Sequence, residues 1–524
     1  MLGFSKVNVI EKSTTNPSKH SSPRSSNTTT TTGPFLEIKG IMLQIDKPTR
    51  RVFIIGGLIR FLLPTIIFPQ LTSILDSSIL LSTPITSFKS IQESIFYFLH
   101  NIELYNGGVN HTPPILIVLL TFLGNINTSV NGWNKIGYDL LYTVIDLIIA
   151  YKIIIINRWY NNYRQQKRNT NNKKKERVEE EEEEEGTSGK FDDYLIGCFY
   201  LFNPLIILTN LSHSSIIFSW IFIMESIIQI VQYENIARSM ISLAIASYLS
   251  FSPIYLLPSI LALGHVIIRD KAISSKQQQE KKEEEEEDKE QTNVKDLIVK
   301  LYVEGLAIFI ICVILLIMIS FIITASWQFL DNVYLTIILF KNPIPNIGLW
   351  WYIFIEMFEN YTSFYLIVFN VYTWIFILPF TIRFFQYKNN KITSLLGDSF
   401  LAVILCLCWI SFIKPYPILG DLGIVLSLLP ILNDTIVQYC KLKYITGMTL
   451  IIGLLLAPIF YYIWIVLGTG NANFFYSITL IWGAIHGLIL MDLIWTKLTL
   501  DYYNDNGIDI NGEGGSLSLS LAQI

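Results

Sequence analysis

Few residues in this 524-residue chain could do chemistry. A catalyst at a membrane surface needs carboxylates or bases that converge on water. Between residues 71 and 112 the chain offers Asp76, Glu93 and Glu103, each isolated. No Asp-x-Asp, Glu-Asp or Asp-Asp pair is present there to act as base and as metal or phosphate organiser, as a sugar transferase requires. Residues 325–360 are richer: Ser326-Trp-Gln-Phe-Leu-Asp331, then Trp350, Trp351, Tyr352, Phe354 and Phe358 with Glu356 and Glu359. Aromatics gather at membrane–water boundaries. The segment reads either as an interfacial helix or as an aromatic wall, lined by Trp350, Trp351, Phe354 and Glu356, that meets a lipid acyl chain. A third segment is Leu467-Gly-Thr-Gly-Asn-Ala-Asn-Phe-Phe-Tyr476. Asn471 and Asn473 carry uncharged donors and acceptors suited to sugar hydroxyls or a phosphate. The same residues also suit a helix-capping turn.

Ionisable side chains inside apolar runs are costly in hydrocarbon and need a partner. Arg60, Asp146, Glu225, His486 and Asp492 are of this kind. Arg60 fits an internal ion pair or a lipid phosphate; Glu225 and Asp492 fit pairing with neighbouring helices. They form no regular proton relay, and no inverted pair of broken helices marks a transporter. Cys198, Cys312, Cys406, Cys408 and Cys440 are scattered through or beside apolar runs, which speaks against a disulfide framework or zinc site. No metal and no cofactor is expected. No basic stripe with interleaved aromatics points to nucleic acid.

The elements that must position these residues follow from composition. Hydrophobic residues make up 51% and charged residues 15%, against about 25% charged in a soluble domain. Segments 157–190 and 269–295 hold 33 of the 80 charged side chains. The rest is nearly uncharged, with apolar runs near span length, and the runs do not alternate as barrel strands do. The expectation is an all-α polytopic membrane protein, because helices satisfy their own backbone in lipid. Residues 1–38 are Ser/Thr/Asn-rich and read as a disordered cytosolic start without a cleavable signal. Residues 39–503 form the membrane domain, with 157–190 and 269–295 as low-complexity cytosolic insertions, and 504–524 form a cytosolic tail. Crossings are expected near 52–70, 136–156, 191–210, 214–232, 236–250, 254–268, 299–324, 361–384, 396–413, 418–439, 444–467 and 474–496. That is about twelve, with Lys and Arg concentrated on the cytosolic side. Ser252-Pro253 could instead mark one broken helix. The run Pro113–Leu123 is too short to span and reads as re-entrant or interfacial. The sequons at Asn110, Asn127 and Asn360 fall on the lumenal side.

Taken in order, these segments resemble the PIG-U family of glycosylphosphatidylinositol (GPI) transamidase subunits. The resemblance is carried by Ser82-Thr-Pro-Ile-Thr-Ser-Phe-Lys89, His111-Thr-Pro-Pro114, Leu201-Phe-Asn-Pro204 and Ser326-Trp…Asp331. It continues through Pro345-Asn-Ile-Gly-Leu-Trp-Trp-Tyr352…Glu356-Met-Phe-Glu359, Lys414-Pro-Tyr-Pro…Gly420-Asp421 and Gly470-Asn-Ala-Asn-Phe-Phe-Tyr476. It spans about residues 50–503; the Ser/Thr/Asn-rich start and the two Glu-rich loops depart from it. It implies a non-catalytic subunit in the endoplasmic-reticulum membrane, in a complex that joins a precursor's new C-terminus to a GPI lipid. The nucleophilic cysteine then belongs to a caspase-like subunit, PIG-K, and the other partners are PIG-T, PIG-S and a GAA-type subunit. It further implies a fold similar to the membrane half of lumenal dolichol-phosphate-sugar-dependent glycosyltransferases, and a role in recognising the GPI lipid, with Asn471 and Asn473 near the headgroup. Two other readings stay open: a dolichol-phosphate-mannose-dependent mannosyltransferase, and a transporter or membrane scaffold.

The topology is testable. Protease tags inserted in 157–190 and 269–295 should be cleaved in intact microsomes, whereas tags beside Asn110 and Asn360 should be protected.

Overall fold

The computed structural model describes residues 46–107, 110–126, 132–175, 191–279, 285–341, 343–385 and 397–506. Residues 1–38, Asn127, the Glu179–Glu185 run and residues 507–524 of the expected C-terminal tail lie outside them; residues 504–506 continue the last helix. Among the described residues the secondary structure is helical, with no strand.

In chain order the helices are α1 (Lys47–Leu62), α2 (Leu71–Asp76), α3 (Phe88–Leu99), α4 (Pro114–Leu120) and α5 (Trp133–Lys175). Next come α6 (Asp193–Leu201), α7 (Pro204–Leu211), α8 (Ile216–Val231), α9 (Ile236–Leu249), α10 (Leu257–Gln279) and α11 (Glu285–Thr324). The last are α12 (Trp350–Glu356), α13 (Glu359–Phe385), α14 (Gly397–Ile413), α15 (Leu419–Leu428), α16 (Lys443–Tyr461) and α17 (Ala472–Asn506). Helices α8, α9 and α11 pack in series, as do α13 with α14 and α16 with α17. The described parts of 157–190 and 269–295 are helical and continue the flanking helices; Lys, Gln and Glu are good helix formers.

Among the described residues five helices are long and apolar enough to cross a membrane: Ser252–Arg269, Ile298–Thr324, Glu359–Phe384, Lys443–Val466 and Ala472–Tyr503. A sixth results if α6 and α7, bent by 54°, count as one span. The bend has a local cause. Pro204 has no N–H to donate, and the N–H of Leu205 goes to the Asn203 side chain at 3.0 Å. Elements expected as full crossings are shorter: α8 has 16 residues and α9 has 14. Expected crossing 418–439 is broken, because Pro430 turns the end of α15 into a 3-10 segment, Leu429–Leu432. Around Ser252-Pro253, α9 and α10 are separate helices joined by extended Ser250 and a 3-10 turn.

The chain's exterior is apolar where a bilayer would touch it. On α11, Ile310, Ile311, Ile314 and Leu315 are exposed. Helix α14 is the reverse, with Phe400 to Cys408 buried on all sides, and Cys406 and Cys408 pack there. Helix α15 approaches α7 and α8 closely because residue 420 is glycine; a Cβ there would lie 2.5 Å from both Thr209 Oγ1 and Trp220.

Buried charges tie the bundle together. Arg60 on α1 pairs with Asp146 on α5, and neither side chain has exposed surface. Arg60 Nη1 also donates to the Leu201 carbonyl at 2.8 Å, and the Tyr200 hydroxyl donates to Asp146 at 2.5 Å. Of the two roles open to Arg60, the internal ion pair is the one seen. Lys152 pairs with Glu225, which also accepts from Gln229 at 2.6 Å. Asp492 accepts the backbone N–H groups of Lys441 and Leu442 at 3.0 and 2.9 Å, at the start of α16.

Removing one member of a buried pair leaves the other charge uncompensated, at about 3–5 kcal/mol. Arg60→Leu and Asp146→Leu should each lower the thermal stability of the detergent-purified protein sharply. The double variant should recover most of the loss, measured by the temperature at which half the protein aggregates.

Candidate functional site

Two of the segments singled out in the sequence meet at one end of the bundle, the rim. Helix α12 is fixed there by its own sequence. The Asn346 side chain accepts the N–H of Gly348 at 2.7 Å and donates to the Pro415 carbonyl at 3.2 Å. Trp350 Nε1 donates to the Ile413 carbonyl at 2.6 Å. Trp350 and Trp351 are each only 1% exposed and belong to a small aromatic core with Phe340, Tyr416 and Phe475. Trp351 lies against Trp464 with ring centroids 5.8 Å apart, and Trp350 stacks on Phe354 at 5.7 Å. The expectation that both indoles line the membrane surface is therefore corrected. Positions 350, 351 and 354 share the inward face of α12 at helical spacing. The exposed apolar side chains of this segment are Ile355 and Phe358, and Glu356 is exposed.

The second segment is the turn before α17. Gly468 has φ of 64°, a conformation that glycine adopts without strain. Thr469 and Gly470 both donate to the Ile463 carbonyl. The Asn471 side chain then accepts the N–H of Asn473 at 3.1 Å, the bond of a helix-capping residue. The Tyr352 hydroxyl donates to Asn473 Oδ1, and the Tyr352 ring stacks on Tyr476 at 4.1 Å and 18°. Both asparagines are exposed, and their amide nitrogens make no hydrogen bond to the described residues.

Behind α12 lies a cleft of about 590 Å³, partly open to the exterior, lined by Trp350, Tyr416, Lys414, Asn370, Thr86 and Tyr255 among others. Lys414 pairs with Asp421, both side chains nearly buried. Asp421 also accepts the N–H of Ile418 at 2.9 Å. A second cleft adjoins the first, sharing Ile216, Ser252 and Ile410 with it.

The isolated acids have structural partners. Asp76 is 5% exposed and accepts from Ser82 Oγ at 2.8 Å, Ser87 Oγ at 3.3 Å, and the backbone N–H groups of Phe88 and Lys89 at 2.9 Å each. It caps α3. Glu93 accepts the Tyr97 hydroxyl, which this carboxylate holds above its usual pKa range. Glu103 is exposed. His111, 2.6 Å from the Asn332 carbonyl through Nδ1, is held below the usual imidazole range by burial. Asn110 is 3% exposed, with Nδ2 on the Leu104 carbonyl and Oδ1 on the N–H of Thr112. A glycan on Nδ2 would have to displace this buried side chain.

Sequence reasoning missed one buried pair. His213 Nε2 lies 3.1 Å from Asp139 Oδ1, with Tyr142 stacked on the imidazole at 4.5 Å. Nothing in the sequence links positions that far apart in two apolar runs. Within its own helix, His486 meets the Trp482 carbonyl at 2.8 Å through Nδ1. That nitrogen must carry the proton, so Nε2 accepts from Ser411 at 2.9 Å.

Fold and site together define a helical, multi-span membrane protein with a pair of amides at its rim. Among the described residues no group of three or more His, Cys, Asp or Glu could hold a metal ion. The chain belongs to the PIG-U family: the family model described as GPI transamidase subunit PIG-U matches residues 54–482. It is similar to the GPI transamidase component GAB1 of Saccharomyces cerevisiae, 35% identical over 442 residues, 84% of this chain and 92% of that protein. It is 25% identical to the GPI-anchor transamidase component PIGU of Homo sapiens over 438 residues, 83% of this chain and 90% of that one.

Asp76→Ala should destabilise the protein by about 1–3 kcal/mol, because it strips the acceptor from buried donors. GPI attachment per assembled complex should be unchanged. Thermal unfolding and a turnover assay on the same preparation check the two halves separately.

Proposed function

We propose that this chain is the non-catalytic membrane subunit of GPI transamidase that binds the GPI lipid and presents it for attachment to precursor proteins. The observation that carries this reading is the meeting of α12 and the Asn471–Asn473 turn through the Tyr352–Asn473 hydrogen bond. Neutral amides can hold a zwitterionic headgroup without burying an unpaired charge. Asn471 and Asn473 contact the headgroup, and the acyl chains run down the apolar surface beside Ile355 and Phe358, with Phe354 packed behind it. Trp350 and Trp351 support that surface from inside the protein, and Glu356 marks its polar edge. The engagement of Asp76 as a helix cap supports binding without catalysis.

On this reading the protein lies in the endoplasmic-reticulum membrane with the rim on the lumenal side. It has about twelve crossings, the shorter helices included, in an arrangement similar to the membrane half of dolichol-phosphate-sugar-dependent glycosyltransferases. PIG-K supplies the nucleophile, and PIG-T, PIG-S and a GAA-type subunit complete the complex.

The test is display of a GPI-anchored reporter in cells lacking the native subunit, with assembly followed by co-precipitation. Asn471→Lys combined with Asn473→Ala should assemble normally and lose most surface display, because the lysine brings a charge that the rim must desolvate. Normal assembly with full display would overturn the headgroup assignment.

A further inference from the structure

We propose that Tyr352 is a positioning residue for the rim: its hydroxyl fixes the Asn473 amide so that both asparagines turn their NH2 groups toward a ligand. This rests on the headgroup reading above and adds the polarity of the contact and the residue that sets it. Within an asparagine amide only the oxygen accepts an N–H, so the bond from Asn473 N to the Asn471 side chain at 3.1 Å leaves Asn471 Nδ2 as the free end. Tyr352 donates to Asn473 Oδ1, which leaves Asn473 Nδ2 free as well.

The Tyr352 hydroxyl is aimed by packing that involves no ligand. Its ring lies parallel to Tyr476, one turn along α17 from Asn473 and therefore on the same helix face. Its neighbour Trp351 is wedged among Trp464, Phe475 and Tyr476. Both amide oxygens are thus used inside the protein, and two exposed NH2 groups remain. Such a surface donates hydrogen bonds to the oxygens of the headgroup. Without the Tyr352 hydroxyl, the Asn473 amide can turn its oxygen outward.

The experiment is a titration of the purified transamidase complex containing this chain with a synthetic GPI glycolipid, reading apparent KM and kcat for transfer to a precursor peptide. Tyr352→Phe keeps the ring stack and should raise KM roughly two- to tenfold, the effect of one hydrogen bond, with kcat held. Asn473→Ala should raise KM as well, and Tyr352→Phe added to Asn473→Ala should produce no further rise. A residue that merely stabilises the fold would give additive effects and shift thermal stability in both backgrounds. If Asn473→Ala raises KM and Tyr352→Phe is silent or fully additive, the positioning role is wrong while the headgroup reading stands. If Asn473→Ala leaves KM unchanged, the headgroup reading falls and this inference with it. Should Tyr352→Phe not assemble, Asn473→Asp serves. It keeps the acceptor for Tyr352 but turns a carboxylate oxygen toward the ligand, and KM should rise tenfold or more. An assembled Asn473→Asp complex with unchanged KM overturns the proposal.

Discussion

One guanidinium with no exposed surface joins three helices at the point where one of them breaks. In a continuous helix the Leu201 carbonyl would accept from Leu205, but that N–H is taken by the Asn203 side chain. Arg60 fills the vacancy with Nη1 and places its charge against Asp146. The break between α6 and α7, the buried cation on α1 and the buried anion on α5 are therefore one arrangement. An unsatisfied backbone carbonyl and two unpaired charges would each be costly in an apolar interior, and together they offset one another, with Arg60 Nη2 left as a buried donor without a hydrogen-bond partner. The same economy recurs at Glu225 with Lys152 and at Asp492 with the start of α16.

The rim inherits its order from that frame. The loop before α3 returns to the bundle through Asp76, and the N–H of Leu419 reaches the Leu80 carbonyl at 3.0 Å. The Ile413–Pro417 stretch is held by the Asn346 side chain and by Trp350. Two segments far apart in the sequence, 76–89 and 413–419, thus support α12. Neither contributes a reactive group to the turn before α17.

Much of this was legible in the residues. The charge distribution pointed to a helical membrane chain, and the Gly468–Asn473 spacing announced a turn that caps a helix. The orientation of α12 was not legible. In a soluble protein an apolar face points to the core, but lipid tails are as apolar as a protein interior, so the pattern of Trp350, Trp351, Ile355 and Phe358 does not say which pair meets protein. Pairings across helices were hidden for another reason. Asp139 with His213 and Tyr352 with Asn473 are set by packing, and no local spacing encodes them. Expected crossings shortened where Pro204 and Pro430 removed a backbone donor, a signal present in the sequence but outweighed there by the apolar runs around it.

The stack of Tyr352 on Tyr476 has an entropic consequence. A free asparagine at a surface samples several rotamers, and a ligand that selects one must work against that freedom. Here the Asn471 amide is frozen by its capping bond and the Asn473 amide by the Tyr352 hydroxyl before any ligand arrives. The ordering cost falls on folding, where the aromatic core of Trp350, Trp351 and Phe475 offsets it. The rim thus presents a preorganised pair of amides, and in the proposed headgroup contact more of the gross interaction energy would be left to appear as affinity.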